Sequence, residues 1–408
     1  MNLKPLSKPY EDSKIWLYLF GIGLFTQISG LLYNNDGSRY GTQSYLLLFL
    51  PVAISIIFHK NAINTFRQPA GVLLLGTFSW VIIISIFNSG SDHTPTYSLK
   101  LISLLLLYVF AIAIYARNQR AFTWLLISTV IAASLCACLT YYYQYLVLGK
   151  PLVYKFMRGG GRLREIGWHG FGDLKNPIIA GLYFGSFAIT STYLFVNSKL
   201  KLWQNIIAIL AMTSLYTYVL LSFSRGALFS TATAYFVLLL LYLNRKSWIL
   251  LFITCLLLTI TTYLFVPQLE SEWVRGFSGR GAIWINWFEH LSEFWLFGSG
   301  AGTDLIYRGY KHAHSLYLQL WYEYGVVGIS FFTLLLVSLL KKGWRCRTQP
   351  LAKLGLALLV FAMVSMISDI YAIIHRPSPF WVVVWFPVGL LLGIEDRKSK
   401  EIKTELIY

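Results

Sequence analysis

The sequence predicts an all-α polytopic membrane protein, with about twelve transmembrane helices and one large helical loop on the outer side. Three observations carry this. Hydrophobic residues make up 56% of the 408 and charged residues only 12%, with a mean hydropathy of +0.59, a composition foreign to soluble domains. The apolar residues fall in runs near the ~20 residues that cross a bilayer core. Basic residues gather in alternate connections between those runs, as the insertion bias requires. The chain reads as a single integral membrane domain over 1–408, without internal repeat, low-complexity tract or soluble domain.

Taken in order, the apolar runs place spans near 15–32, 44–58, 70–87, 99–116, 121–146, 177–196, 202–221, 226–243, 247–266, 315–340, 352–374 and 379–394. The first follows Lys4, Lys8 and Lys14 and ends in no small-residue cleavage site, so it reads as a span rather than a cleavable signal. An even number of spans puts both termini on one side. With the connections at 59–67, 117–120, Lys199/Lys201, Arg245/Lys246 and 341–353, that side holds more than half of the 34 Lys and Arg. It is the cytoplasmic side by the positive-inside rule. Cys136, Cys138, Cys255 and Cys346 lie in spans or a basic inner loop without metal-ligand spacing, which predicts neither disulfide nor metal site. The net charge of +17 is scattered among spans, which points away from nucleic acid and towards acidic lipid or phosphate.

Two outer segments run against the insertion bias. Residues 147–176 form a basic segment with Lys150, Lys155, Arg158, Arg162, Arg164 and Lys175; residues 267–314 hold Arg275, Arg280, Arg308 and Lys311. A strongly anionic substrate at the outer face is the simplest requirement that maintains them. Arg225, between two spans in Ser-Phe-Ser-Arg-Gly-Ala, is either a snorkelling interfacial arginine or a fixed fork for phosphate oxygens beside Ser222 and Ser224. Arg280 has small neighbours in Ser-Gly-Arg-Gly-Ala, which let a ligand approach the backbone. The Gly159-Gly160-Gly161 run lacks the Lys-Ser/Thr pair of a nucleotide loop.

The interval 275–328 is the longest polar stretch between apolar runs, and it ends in a helix whose continuous apolar part, Val326 to Leu340, is too short to span. The helix must therefore reach back past Tyr322 and Leu318 towards Ser315. That sets His314 above the hydrocarbon near a helix N-terminus, where the dipole disfavours an imidazolium and favours the neutral base. His312 could substitute for it, while His169 and His290 read as structural. Asp369, about a turn and a half below the outer end of its expected span, either orients a catalytic group or pairs with an arginine. Glu323 near the same interface could cap or pair likewise, and Asp173 reads as an N-cap for the helix opened by Asn176-Pro177.

Ser-Phe-Ser-Arg-Gly-Ala (222–227), Gly-Arg-Gly-Ala-Ile-Trp (279–284), Phe-Gly-Ser-Gly-Ala-Gly (297–302) and His-Ser-Leu-Tyr-Leu-Gln-Leu-Trp-Tyr-Glu-Tyr-Gly (314–325), in that order, resemble the O-antigen ligase family, which shares its core with O-antigen polymerases and protein O-oligosaccharyltransferases. Ser315 stands where that family usually has Asn. The resemblance implies an inverting, metal-independent membrane glycosyltransferase of C-type architecture, without cofactor. It would move O-antigen polysaccharide from undecaprenyl pyrophosphate to a sugar hydroxyl of lipid A–core, in a bacterial inner membrane with the site periplasmic. Arg225 and Arg280 would bind the pyrophosphate and His314 would assist the acceptor, with Arg158, Arg162, Arg164, Lys175, Arg308, Lys311, His312 and Asp369 as further substrate contacts. A polymerase of the same superfamily is the nearest rival, but its paired Arg and Gly eleven positions apart are absent from the outer loops. A flippase or transporter, which places ionisable groups near the midplane, fits less well.

Overall fold

The computed structural model describes residues 14–395 apart from 59, 165, 167–171, 173 and 277–278. The expectations for His169, Asp173, Lys4 and Lys8 fall outside the described residues. The described chain is a multi-pass helical bundle. The helices are α1 (Lys14–Ser29), α2 (Gly37–Ile57), α3 (Pro69–Phe87), α4 (Pro95–Tyr115), α5 (Gln119–Val147), the short α6 (Tyr154–Gly159), α7 (Pro177–Asn197), α8 (Leu202–Leu221), α9 (Arg225–Tyr242) and α10 (Arg245–Leu264). After α11 (Val266–Val274), α12 (Arg280–Glu289) and α13 (Leu291–Phe294) come α14 (Leu316–Arg345), α15 (Pro350–Ser365) and α16 (Trp381–Gly393).

The helix starts follow local chemistry. Pro95 and Pro177 open α4 and α7 behind Thr94 and Asn176, whose side chains accept from Tyr97 N and Ile178 N. Asn118, Ser224 and Asn244 cap α5, α9 and α10 in the same way. Polar breaks with built-in caps are what divide a mostly apolar sequence into spans.

Among the described residues ten helices are long and apolar enough to cross a membrane. They correspond to the first ten spans expected from the sequence. The last two differ. α15 has 16 residues and α16 has 13, about 24 and 20 Å of helix, short of a ~30 Å hydrocarbon core. Both are almost wholly enclosed by other helices, so neither needs to meet lipid along its whole length. The span expected over 352–374 ends at Ser365 because the chain turns there. The amides of Asp369 and Ile370 both return to Ser365 O, and Met366 O accepts from Leu316 N at the start of α14. Asp369 accordingly lies beyond the helix, not inside a span.

The core is built on α7, 83% of it buried, packed between α8, α9 and α15; α14 lies on α3 and α16 on α4. α10 is its opposite, with 6% buried, and touches the bundle mainly along α9. The polar interval also has an apolar centre of its own. Ile283, Trp287, Phe294, Leu305 and Ala313 form a separate cluster roofed by Trp284, Leu291, Trp321 and Tyr322. Trp287 is fully buried and its indole donates to Leu318 O. This small roof domain is fixed to the first turns of α14.

As expected, α14 reaches back to Leu316 behind Ser315, but it breaks at Gly325, where φ is 66° and ψ −172°. A side chain there is excluded by conformation and by space, since a Cβ would lie 2.0 Å from Leu296 O. The backbone groups freed by the break find partners. Tyr322 O and Glu323 O accept from Ser299 N and Gly300 N, Val326 N donates to Trp295 O, and Trp80 Nε1 donates to Tyr324 O. The Phe-Gly-Ser-Gly-Ala-Gly stretch is thus the splint of this break. Gly325→Ala is expected to destabilise the protein by roughly 1–3 kcal/mol, read as a lowered thermal midpoint of the purified protein in detergent; an unchanged midpoint would contradict the strained geometry.

Candidate active site

The site is assembled where α8 hands over to α9. After Leu221 the chain reverses through Ser222, Phe223 and Ser224, with Phe223 at φ 48°. Ser224 Oγ accepts from Ala227 N to start α9. The reversal leaves C-terminal carbonyls of α8 in need of donors. Arg162 Nε donates to Ser222 O at 2.9 Å, Arg158 Nη1 to Phe223 O at 3.0 Å and Leu163 N to Leu221 O at 3.0 Å. The end of α6 and the residues after it therefore strap the turn that carries Arg225.

Gly226 explains the next position of the motif. A Cβ on it would lie 1.4 Å from Asp369 Oδ2, so the carboxylate is seated directly on the first turn of α9, where the helix dipole favours negative charge. The other oxygen, Oδ1, accepts from Arg280 Nη2 at 3.0 Å, with the aspartate side chain 1% exposed. Asp369 joins the two arginine motifs. Its pairing with an arginine was one of the two roles read from the sequence. Burial pushes its carboxyl above the ordinary range, and Arg280 is first among the groups that oppose this.

His314 enters from α14. It has φ 54° and stands just before the cap residue Ser315. Leu316 N donates to Met366 O at 2.8 Å, which pins the start of α14 to the same segment that carries Asp369. The His314 ring packs 4.3 Å from His312 and edge-on to Tyr310 at 5.7 Å, and His312 stacks on Tyr371 at 3.8 Å. Burial pushes the His314 imidazole down to about 4, with His312 and Arg280 acting in the same direction. Its position near a helix N-terminus predicts a neutral imidazole; here burial is the first cause of the lowering, and the Arg280 guanidinium adds to it. His312 is lowered too, by burial, with Asp304 opposing.

Arg225 points the other way along the turn. Nη1 donates to Glu272 O at 2.9 Å, Nη2 to Gly276 O at 2.7 Å, and Nε lies 3.7 Å from the Glu272 carboxylate. Glu272 is a hub. Its carboxylate is 2.6 Å from Arg158 Nε and 3.9 Å from Arg275 Nη1, and it accepts from the Tyr154 hydroxyl at 2.8 Å. Arg162 sits in the same crowd of cations, pushed down to about 10 by burial and by Arg158 and Arg275. Five guanidiniums (Arg158, Arg162, Arg225, Arg275, Arg280) against two carboxylates (Glu272, Asp369) leave three positive charges at one end of the bundle.

The remaining candidates lie further out. Arg308 is exposed at the tip of a small hairpin, over the Tyr307 ring, and Lys311 pairs with Asp304 at 3.4 Å on the surface. Arg164 and Lys175 are exposed on the basic outer segment, and His290 is exposed at the end of α12. Glu323 accepts from Gln319 Nε2 and Gly302 N and so holds the splint to α14. It borders a 170 Å³ cavity of mixed character that His312, Asp304, Lys311, Tyr371 and His375 also line, together with Leu316 and Ile373. On the membrane side of the Arg225 turn, α8, α9 and α10 enclose an apolar groove of 510 Å³ lined by residues such as Leu220, Leu228, Phe236, Leu250 and Leu257. Sequence reasoning missed Glu272 and Tyr154. Nothing in the chain distinguishes Glu272 from Glu270, two residues away, before the fold turns one of them onto three arginines.

A family described as O-antigen ligase matches residues 206–333, from α8 into α14, and so covers both arginine motifs and His314. The chain is also similar to the O-antigen ligase of Pseudomonas aeruginosa, 24% identical over 402 residues, which cover 93% of this chain and 92% of that protein. The resemblance read from the four motifs is borne out by both matches.

Two outcomes follow from this geometry. Removing the Arg280 charge in Arg280→Ala is expected to raise the His314 imidazole pKa above about 4 by only a part of its displacement, since burial, the larger cause, remains. Histidine-selective NMR titration of the purified protein would detect this rise; a downward shift would contradict the electrostatic coupling. Gly226→Ala must push Asp369 aside by an ångström or more and is expected to lower activity roughly 100-fold while the protein still folds, checked by in vitro transfer together with thermal stability.

Proposed function

We propose that the chain is an O-antigen ligase acting in lipopolysaccharide assembly: an inverting glycosyltransferase that moves polysaccharide from undecaprenyl pyrophosphate to a sugar hydroxyl of lipid A–core, at the periplasmic face of a bacterial inner membrane with both termini cytoplasmic. The observation that carries this is the convergence of Arg280, the Arg225 turn and His314, all inside the stretch matched by that family, with Asp369 from beyond it, at one end of the bundle.

Each part has a chemical task in this reading. Departure of a lipid diphosphate develops negative charge on its oxygens. Fixed guanidiniums at Arg225 and Arg280 stabilise that charge without a metal, and Asp369 keeps the second of them aimed. The acceptor oxygen bonds to the anomeric carbon from the face opposite the diphosphate, the carbon–oxygen bond to phosphate breaks, and its electron pair leaves on the diphosphate. His314 takes the hydroxyl proton. Its low pKa in the unloaded site suits this order of events. An arriving diphosphate offsets the field of Arg280, which raises the imidazole pKa as the donor binds and makes it a stronger base when the acceptor is in place.

The two cavities suit the two substrates. The groove between α8, α9 and α10 is apolar and adjoins the Arg225 turn, so the first isoprene units of the carrier fit there with the diphosphate at the guanidiniums. The mixed cavity lined by His312 offers carboxylates, imidazoles and an aromatic ring to sugar hydroxyls. The exposed bases Arg164, Lys175, Arg308 and Lys311 then face the phosphorylated core of the acceptor, while Arg158 and Arg162 act mainly by holding the Arg225 turn.

In cells whose own ligase gene is deleted, His314→Ala is expected to reduce capping of lipid A–core by 10²- to 10⁴-fold and to leave long polymer on its lipid carrier, both visible on a lipopolysaccharide gel. Normal capping by that variant would overturn the base assignment. A single repeat unit on the core in the deletion strain, instead of uncapped core, would favour a polymerase.

A further inference from the structure

Every side-chain nitrogen of Arg225 faces an oxygen at the end of α11: the carbonyls of Glu272 and Gly276 and the Glu272 carboxylate. The same carboxylate engages Arg158 through two nitrogens and lies within ion-pair distance of Arg275. The proposed function assigns Arg225 to the diphosphate, and Arg158 and Arg275 share its carboxylate partner. In this structure their oxygen partners come from the protein itself.

The element that supplies those oxygens is weakly held otherwise. α11 buries none of its residues, and Trp273 and Val274 beside the hub are 87% and 85% exposed. What ties its end to the bundle is polar: the arginines, and the Tyr154 hydroxyl with its bonds to Glu272 and Ser271. A single carboxylate on three guanidiniums is also a poor match in charge. A diphosphate carries more negative charge and more oxygens, and forks onto guanidiniums more completely.

We infer that Glu272 is an internal counter-ion that occupies the anion seat of the unloaded enzyme and is displaced from Arg225 and Arg158 when a diphosphate enters. Glu272 is a positioning residue: it keeps mutually repelling arginines gathered in one array, then gives them up to the donor. Displacement frees the exposed end of α11, so that donor entry and movement of this helix are one event. The inference rests on the proposed donor chemistry, and its sign is unusual. Removing the carboxylate strengthens binding of the anion, because a competing ion pair no longer has to be broken, while turnover falls because the array is less ordered.

The test uses the full-length protein in lipid nanodiscs with farnesyl diphosphate as probe and farnesyl monophosphate as reference. Glu272→Gln is expected to bind the diphosphate roughly three- to tenfold more tightly than the unaltered protein, the scale of one partly exposed ion pair, with a lower kcat and a lower KM for donor. Glu272→Asp should return affinity towards the starting value. Tyr154→Phe, which removes one hydrogen bond to the carboxylate and leaves every charge in place, should tighten binding in the same direction by a smaller factor, and carries the test if Glu272→Gln does not fold. Unchanged or weaker diphosphate binding in whichever of these variants folds would overturn the inference, since that is what a residue that only holds α11 would give. If the unaltered protein binds the diphosphate no better than the monophosphate, it is the proposed donor chemistry that fails instead.

Discussion

The contact on which the rest of the site depends is a buried carboxylate between an arginine and the first turn of a helix. Asp369 touches Arg280 with one oxygen and lies against Gly226 with the other. Burying that charge is costly, and two contacts offset it: the hydrogen bond from Arg280 to Oδ1 and the dipole of α9 beneath Oδ2, which has no hydrogen-bond partner among the described residues. With them, one side chain fixes the roof domain to α9 and to the segment after α15. His314 is tied to that segment too, through Leu316 N and Met366 O. Three stretches far apart in sequence are thereby held in one frame.

The bundle beneath supplies rigidity where the site needs it and leaves it out elsewhere. α7 is enclosed by α8, α9 and α15, and the Ser222–Ser224 reversal sits on this packed centre with Gly181 close beneath it. The strap from Arg158 to Leu163 then satisfies the reversal's carbonyls. α10 and α11, by contrast, lie at the edge with little buried surface. A rigid turn bearing cations thus lies next to a loosely attached wall.

Much of the fold was legible in the sequence, because apolar runs and capping residues are local signals. Ten spans were recovered, as was the backward reach of α14 to Ser315, which followed from counting apolar residues against the width of a bilayer. The eleventh span was over-extended because the apolar residues Ile370, Ile373 and Ile374 continue the run past Ser365. They are buried in an irregular, non-helical connection. In the site, Arg225, Arg280, His312, His314 and Asp369 were found from their exceptional placement beside spans. Glu272 and the apolar core around Trp287 were not. A carboxylate that faces three arginines, two of them from distant segments, is a property of tertiary structure, and the roof was hidden because its apolar residues are dispersed through a polar interval.

The break at Gly325 gives α14 two parts with separate obligations. The part below it lies among membrane helices such as α3, and the part above it belongs to the roof and begins two residues after His314. A straight rod would tie the height of that residue to the thickness of the surrounding lipid. A broken one, splinted at residues 295–300 and anchored at Met366, lets the protein's own framework set that height, so the imidazole takes its bearings from the arginines instead of from the bilayer.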